Sequence, residues 1–308
     1  MTTKIAFETL IDDSLSNIST LDQFKSVLNK KIVSVINEFE DGAWRYSKFQ
    51  HYLWDNIVQT ALSQRERAAL VGKGHTALVE AAKNLRLTDK DELGQGSEIA
   101  EIFLYGVMKD HFGALPVVPK IFYKQNNQDN AKGADSVHIV IKDDDFTLWF
   151  GEAKFYNSIA DGRLDSIVKS VLETLGTDKL KKENSIVTNV SDILHLPIPS
   201  DLKERIISSI RPRESIDNIK SKINVPIMVL HECEITASHA EMSMRYRESI
   251  GEHHTQRAEA YFAKQMTRSS SVFKYSEIVF HLILFPVPNK SKIVKAFIEG
   301  VQFYKGQQ

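Results

Sequence analysis

The chain has 308 residues, 42% hydrophobic and 26% charged, with a formal net charge of −1. That balance belongs to a globular protein with a sizeable core, as one large domain or two small ones. It excludes a free-standing binder that holds nucleic acid through overall basic charge. A single cysteine, Cys233, excludes an intrachain disulfide and a zinc site built from cysteines. No run of about 18 apolar residues and no signal-peptide pattern is present, so a cytoplasmic location is expected.

Residues 1–20 are polar and weakly patterned, an irregular or β-edge start. Leu21, Phe24, Val27, Leu28, Ile32, Val35, Ile36 and Phe39 recur at helical spacing, which predicts a helix over 21–39. Asp41-Gly42 breaks it. Further helices are predicted over 44–62, 64–71 and 75–87. Ser63, with Glu66 three residues on, makes a capping-box pattern at the second of these. Residues 1–92 therefore read as a helical N-terminal lobe. Its aromatics (Trp44, Tyr46, Tyr52, Trp54) fall at helical spacing and read as core rather than as a base-stacking platform.

A polar connector over 89–96 leads into a helix over 97–112, with Ser97 as its cap. Ile99, Ile102, Phe103 and Gly106 make its buried stripe, and Glu98 and Glu101 flank it. Gly113 ends the helix. A short strand is predicted over 117–123, then a polar loop. A β-hairpin follows. Val137 to Ile141 is an unbroken apolar run, Asp143-Asp144-Asp145 is a turn, and 146–156 is a second strand. Both faces of that strand are mostly apolar, as in a central strand covered on both sides. Glu152 and Lys154 are neighbours on one face and break the pattern. Charges on a buried strand are costly unless they are paired or serve chemistry.

The remaining elements are predicted as a helix over 161–180, short helices and loops over 181–224 (one over 201–210), a strand over 225–235, a long charged helix over 237–267, a strand over 276–287 and a helix over 291–304. Residues 93–308 thus form an α/β unit with a mixed central sheet flanked by helices, continuous with the N-terminal lobe.

Asp135 at the start of the first hairpin strand, followed by Glu152-Ala153-Lys154 on the second, resembles the motif of the PD-(D/E)xK nucleases. Gly133-Ala134-Asp135 stands where the Pro-Asp of the name would be. The superfamily often adds a Glu from the preceding helix, and Glu98 and Glu101 are both candidates, with Glu101 slightly favoured. The chemistry is intelligible from the residues. Two carboxylates across a hairpin can hold Mg²⁺, with Mn²⁺ as an alternative, so Asp135 and Glu152 are the expected metal ligands. Such a metal polarises a phosphate and lowers the pKa of bound water. Lys154, at i+2 from Glu152, shares its pocket and can position water and stabilise developing charge. The competing reading is a cross-strand salt bridge or a charged strand end.

At greater length, the chain resembles the HamA family of the Hachiman anti-phage defence system. The residues that carry the likeness are Gly96 to Ile102, Lys132 to Asp135, Gly151 to Tyr156 and Ile278 to Pro286. The resemblance implies a DNA-cleaving effector restrained by a helicase partner, HamB. Two other functions remain open: a non-catalytic nuclease-like adaptor that docks a helicase on DNA, and a restriction-type sequence-specific endonuclease.

Other motifs are weaker. His231 and Cys233 share a strand face as a metal pair or, preferentially, as core packing. His253-His254 lacks the His-Glu-x-x-His spacing and reads as a solvated face. The basic stretches Arg205, Arg211, Arg213, Lys220, Lys222 and Arg245, Arg247, Arg257, Lys264, Arg268 are interleaved with acids and read as ordinary surface. There is no Walker-type glycine loop, so no nucleotide cofactor is expected.

Overall fold

A computed structural model describes residues 5–86, 96–125, 134–189, 193–194, 196–211, 213–269 and 272–307. The chain opens with β1 (Glu8–Ser14), a one-turn α1 (Leu15–Ile18) and β2 (Lys30–Ile36). The helix expected over 21–39 does not form. This segment holds one 3₁₀ turn at Asp22–Phe24 and then enters β2. The physical reason lies in Ile32, Val33, Val35 and Ile36, all fully buried. These β-branched side chains suit a strand covered on both faces, and a nearly continuous apolar run matches helical spacing by coincidence. The N-terminal segment is therefore not purely helical.

A small hairpin, β3 (Phe39–Glu40) and β4 (Ala43–Trp44), turns through Asp41 and Gly42, both at positive φ. Then come α2 (Tyr46–Ala61), α3 (Gln64–Ala69) and α4 (Gly74–Lys83). Ser63 caps α3 with the full capping box to Glu66, as its spacing predicts. Trp44 and Tyr52 are buried, and the Trp54 ring lies 5.5 Å from Phe297, so these aromatics are core.

The connector expected over 89–96 lies outside the described residues except for Gly96. That glycine, at φ 93°, is the N-cap of α5 (Ser97–Asp110) in place of Ser97. β5 (Leu115–Val118) stops at Pro119, which has no N–H for a ladder, and α6 (Lys120–Gln125) takes the rest of the segment expected as strand. The hairpin forms as predicted, with β6 (Ser136–Lys142), β7 (Asp145–Tyr156) and Asp143 and Asp144 at positive φ in its turn. Lys132 and Gly133 lie outside the described residues. The helix predicted over 161–180 is two, α7 (Asp161–Thr174) and α8 (Thr177–Asn189), parted at Gly176. After them come α9 (Ser200–Ser209), β8 (Ile223–Glu232), α10 (Glu234–Ala237), α11 (Met244–Arg268), β9 (Val279–Val287) and α12 (Lys290–Lys305). Ser243 caps α11, accepting from the Tyr246 N–H, so the long helix begins later than 237.

Seven strands make one mixed sheet in the order β1-β2-β9-β8-β7-β6-β5. β2, β9, β8 and β7 run parallel. β1 adds antiparallel at one edge, and β6 and β5 at the other. Strands from the first 40 residues thus extend the same sheet as the motif hairpin. Alternation along β7 separates two cores. Trp149, Ala153 and Phe155 pack with Phe49 of α2, Phe103 of α5 and Phe297 of α12. Leu148 and Phe150 pack with Leu164, Ile167 and Val168 of α7 and Tyr261 and Phe262 of α11. Among the described residues, no helix is long and apolar enough to cross a membrane.

Candidate active site

The charged pair sits on β7, held between antiparallel β6 and parallel β8. Neighbouring strands satisfy the backbone there, so Glu152 and Lys154 are displayed on a rigid support, on the face covered by α7 and α11. Glu152 is buried. Its Oε1 accepts from Lys154 Nζ at 2.6 Å and from Ser170 Oγ of α7 at 2.5 Å.

Asp135 grips β7 on either side of Glu152. Its N–H donates to the Gly151 carbonyl at 2.7 Å, and its Oδ2 accepts from the Ala153 N–H at 3.0 Å. The same Oδ2 lies 3.9 Å from Lys154 Nζ. The structure thus brings together Asp135, Glu152 and Lys154. Gly151 permits the close fit, because a Cβ there would collide with Ser136 Oγ and with Leu104 of α5.

The electrostatics follow from burial and from two acids facing one base. Burial raises the Glu152 carboxyl above the usual carboxylate range, and the Asp135 charge raises it further. Lys154 and Ser170 offset this only in part. Burial pulls the Lys154 ammonium down, but Glu152 and Asp135 outweigh it and hold its pKa above the ordinary lysine value. Lys154 is therefore a cation at neutral pH.

The two helix acids separate. Glu98 lies at the surface end of α5, where its Oε1 accepts from the Arg86 N–H at 2.8 Å. Glu101 is buried and lines a small cavity with Asp135, Ser136, Tyr105 and Lys120. α5 covers the β7 face opposite to Glu152, so Glu101 approaches Asp135 from the other side of the sheet. Spacing cannot show this, because both acids flank the same buried stripe.

Three residues escape sequence reading. Ser170 is one turn of α7 from Ile167 of the buried stripe, and its polarity there was the available signal. Lys120 and Glu183 form an ion pair at 2.7 Å with both side chains buried. Glu183 also accepts from the Ala134 N–H at 2.9 Å, which anchors the residue before Asp135. Nothing local marks Lys120 or Glu183, which meet only through the packing of α6 and α8.

The donor set fits a hard divalent cation. Asp135 and Glu152 offer carboxylate oxygens, the ligand type of Mg²⁺ and Mn²⁺, and they carry a mutual repulsion that a cation would relieve. Ser136 Oγ, in the cavity shared by Glu101 and Asp135, is a buried polar atom without a hydrogen-bond partner among the described residues.

The basic stretches are largely surface, as expected, but the reading fails at Lys220, which is buried against the Phe273 carbonyl and Asp217. Arg257, Lys264 and Arg268 of α11 bridge to Asp161 and Asp165 of α7. Lys222 pairs with Asp145. The solvated reading of His253-His254 fails at His254. This side chain is fully buried, because Tyr246, Ile250, His254, Ala258 and Tyr261 form the inward stripe of α11.

The search of curated proteins finds no match. A family model does match, that of HamA, over residues 12–301. This span runs from the end of β1 through the motif hairpin into the closing helix, and the chain belongs to the HamA family of anti-phage defence proteins.

Proposed function

We propose that the chain is a metal-dependent DNA nuclease with a PD-(D/E)xK core, the effector of a two-component Hachiman system whose helicase partner controls it. One observation carries this reading. Two carboxylates and a lysine, remote from one another in the chain or on one strand, converge at the mouth of a rigid hairpin. A scaffold has no need of a buried acid whose ionisation its surroundings oppose.

In this reading Asp135 and Glu152 hold Mg²⁺, which when bound neutralises phosphate charge and activates a water. Lys154 stays protonated between the acids and is placed to orient the attacking water and to stabilise charge on the phosphate. Ser170 fixes the Glu152 carboxylate. Glu101 supports Asp135 from the α5 side, and Glu98 has a structural task. Family membership supports the helicase partner. The near-zero net charge agrees with DNA being delivered by that partner rather than captured by this chain alone.

The test is Mg²⁺-dependent plasmid cleavage by the purified chain, with and without the helicase subunit. Glu152→Ala and Lys154→Ala are expected to lower the rate by about 100-fold or more while circular dichroism stays that of the parent. Parent-like cutting by Lys154→Ala would overturn the assignment. Cleavage that needs no divalent cation would do the same.

A further inference from the structure

A second group of ligand-type side chains lies at the far end of β8. His231 is buried next to the last residue of that strand. Cys233 follows it, with its N–H held by the Val287 carbonyl at 2.9 Å, and caps α10. His253 reaches in from α11. A ring nitrogen of each histidine and the Cys233 sulfur all lie within 4.8 Å of one another. Among the described residues, this is the one group of three or more His, Cys, Asp or Glu donors that converges so closely.

The geometry is near that of a metal site. Zinc bonds of about 2.0–2.3 Å in a tetrahedron set donors about 3.5 Å apart, so side-chain shifts of about 1 Å complete it. Three protein donors leave a fourth position. It faces a cavity of about 420 Å³ lined by Cys233, His253, Asn157, Ser158 and Arg257. One thiolate and two imidazoles are donors for Zn²⁺ and its transition-metal neighbours rather than for Mg²⁺.

Groups behind the donors hold them. Ser34 of β2 contacts His254 Nδ1 at 2.7 Å, and His254 Nε2 contacts His231 Nε2 at 3.0 Å. His231 Nδ1 also lies 3.3 Å from the Glu232 carbonyl, a contact that a metal at Nδ1 would replace while Nε2 carries the proton toward His254.

We propose that His231, Cys233 and His253 form a zinc-class metal site, open at its fourth position to the adjoining cavity and separate from Asp135 and Glu152. The proposal is independent of nuclease activity. Binding releases the Cys233 thiol proton to solvent and joins α11 to the end of β8. Because Arg257 and Lys264 of α11 pair with Asp161 and Asp165 of α7, the metal would stiffen the layer that carries Ser170.

The experiment uses the full chain stripped with a chelator. Zn²⁺ is titrated by calorimetry and Co²⁺ by absorbance. The expected result is one equivalent per chain at this site, with a thiolate-to-cobalt charge-transfer band. Both are lost in Cys233→Ser and in His253→Gln, and both persist in Glu152→Ala. Cys233 is buried, so the half-buried His253 provides the variant that tests the site if Cys233→Ser folds poorly. No Zn²⁺ uptake by the parent would overturn the proposal. So would uptake that His253→Gln leaves at the same stoichiometry and affinity.

Discussion

The Ser170 hydroxyl of α7 and Lys154 Nζ meet the same oxygen of Glu152, at 2.5 and 2.6 Å. The helix after the motif strand is thereby keyed to the motif by one hydrogen bond to a charged group. Such bonds contribute about 1.5–3 kcal/mol. Ser170→Ala should raise the Glu152 pKa further, move the acid limb of the cleavage pH profile upward and lower the rate near neutrality about tenfold. Ser170→Thr keeps the hydroxyl and should restore most of the rate. Rate measurements from pH 5 to 9 check this, and an unmoved acid limb in Ser170→Ala would remove the hydroxyl from the site.

Glu152 also bears on stability. Its folded pKa lies above that of an ordinary carboxyl, so the unfolded chain loses the proton first as pH rises. The protonated acid is fully compatible with the fold below the ordinary value. Stability is then lost as pH climbs through the raised one. Glu152→Gln removes the charge at constant shape. At pH 7 it should melt higher than the parent while cleaving DNA far more slowly. A lower melting temperature would show that the ion pair with Lys154 outweighs the desolvation cost.

The ion pair of Lys120 and Glu183 tests how the site is braced. Both side chains are buried, so removing one leaves an unpaired charge, at about 3–5 kcal/mol. Lys120→Met should lower the urea midpoint strongly, and Lys120→Met with Glu183→Leu should regain most of it. Cleavage should not return with stability in the double variant, because the Ala134 N–H loses its acceptor beside Asp135.

Buried histidines predict the acid response. Burial holds His138 and His281 neutral, each with a pKa of about 3. The unfolded chain binds those protons from about pH 6.5 downward. Each therefore withdraws about 1.4 kcal/mol of stability per pH unit between about 6.5 and 3. His138 has no hydrogen-bond partner for either ring nitrogen among the described residues. His138→Phe should leave stability at pH 7.5 nearly unchanged and flatten its fall toward pH 5. Parallel denaturation curves for parent and variant at both pH values would contradict this.

Much of the site was legible because it is local. Glu152 and Lys154 are two residues apart on a strand, alternation puts them on one face, and the Asp-rich turn brings β6 back beside them. The hairpin, the Ser63 capping box and the aromatic core of α2 were readable for the same reason. Elsewhere periodicity misled. The residues of β2 match helical spacing because a doubly covered strand is apolar throughout. His254 was read as solvated because its sequence neighbours are charged, yet it falls on the inward stripe of α11.

The sequence by itself determined the α/β character of the chain, the motif hairpin and three of its charged side chains, all set by alternation and turn chemistry over short distances. Tertiary packing decided what those rules cannot reach. It set Glu101 rather than Glu98 in the cavity beside Asp135, through the way α5 packs on the sheet. It brought Ser170 to Glu152, Glu183 to Ala134, and His253 to Cys233. Each of these contacts joins separate elements, and it exists only once the layers close on the central strands.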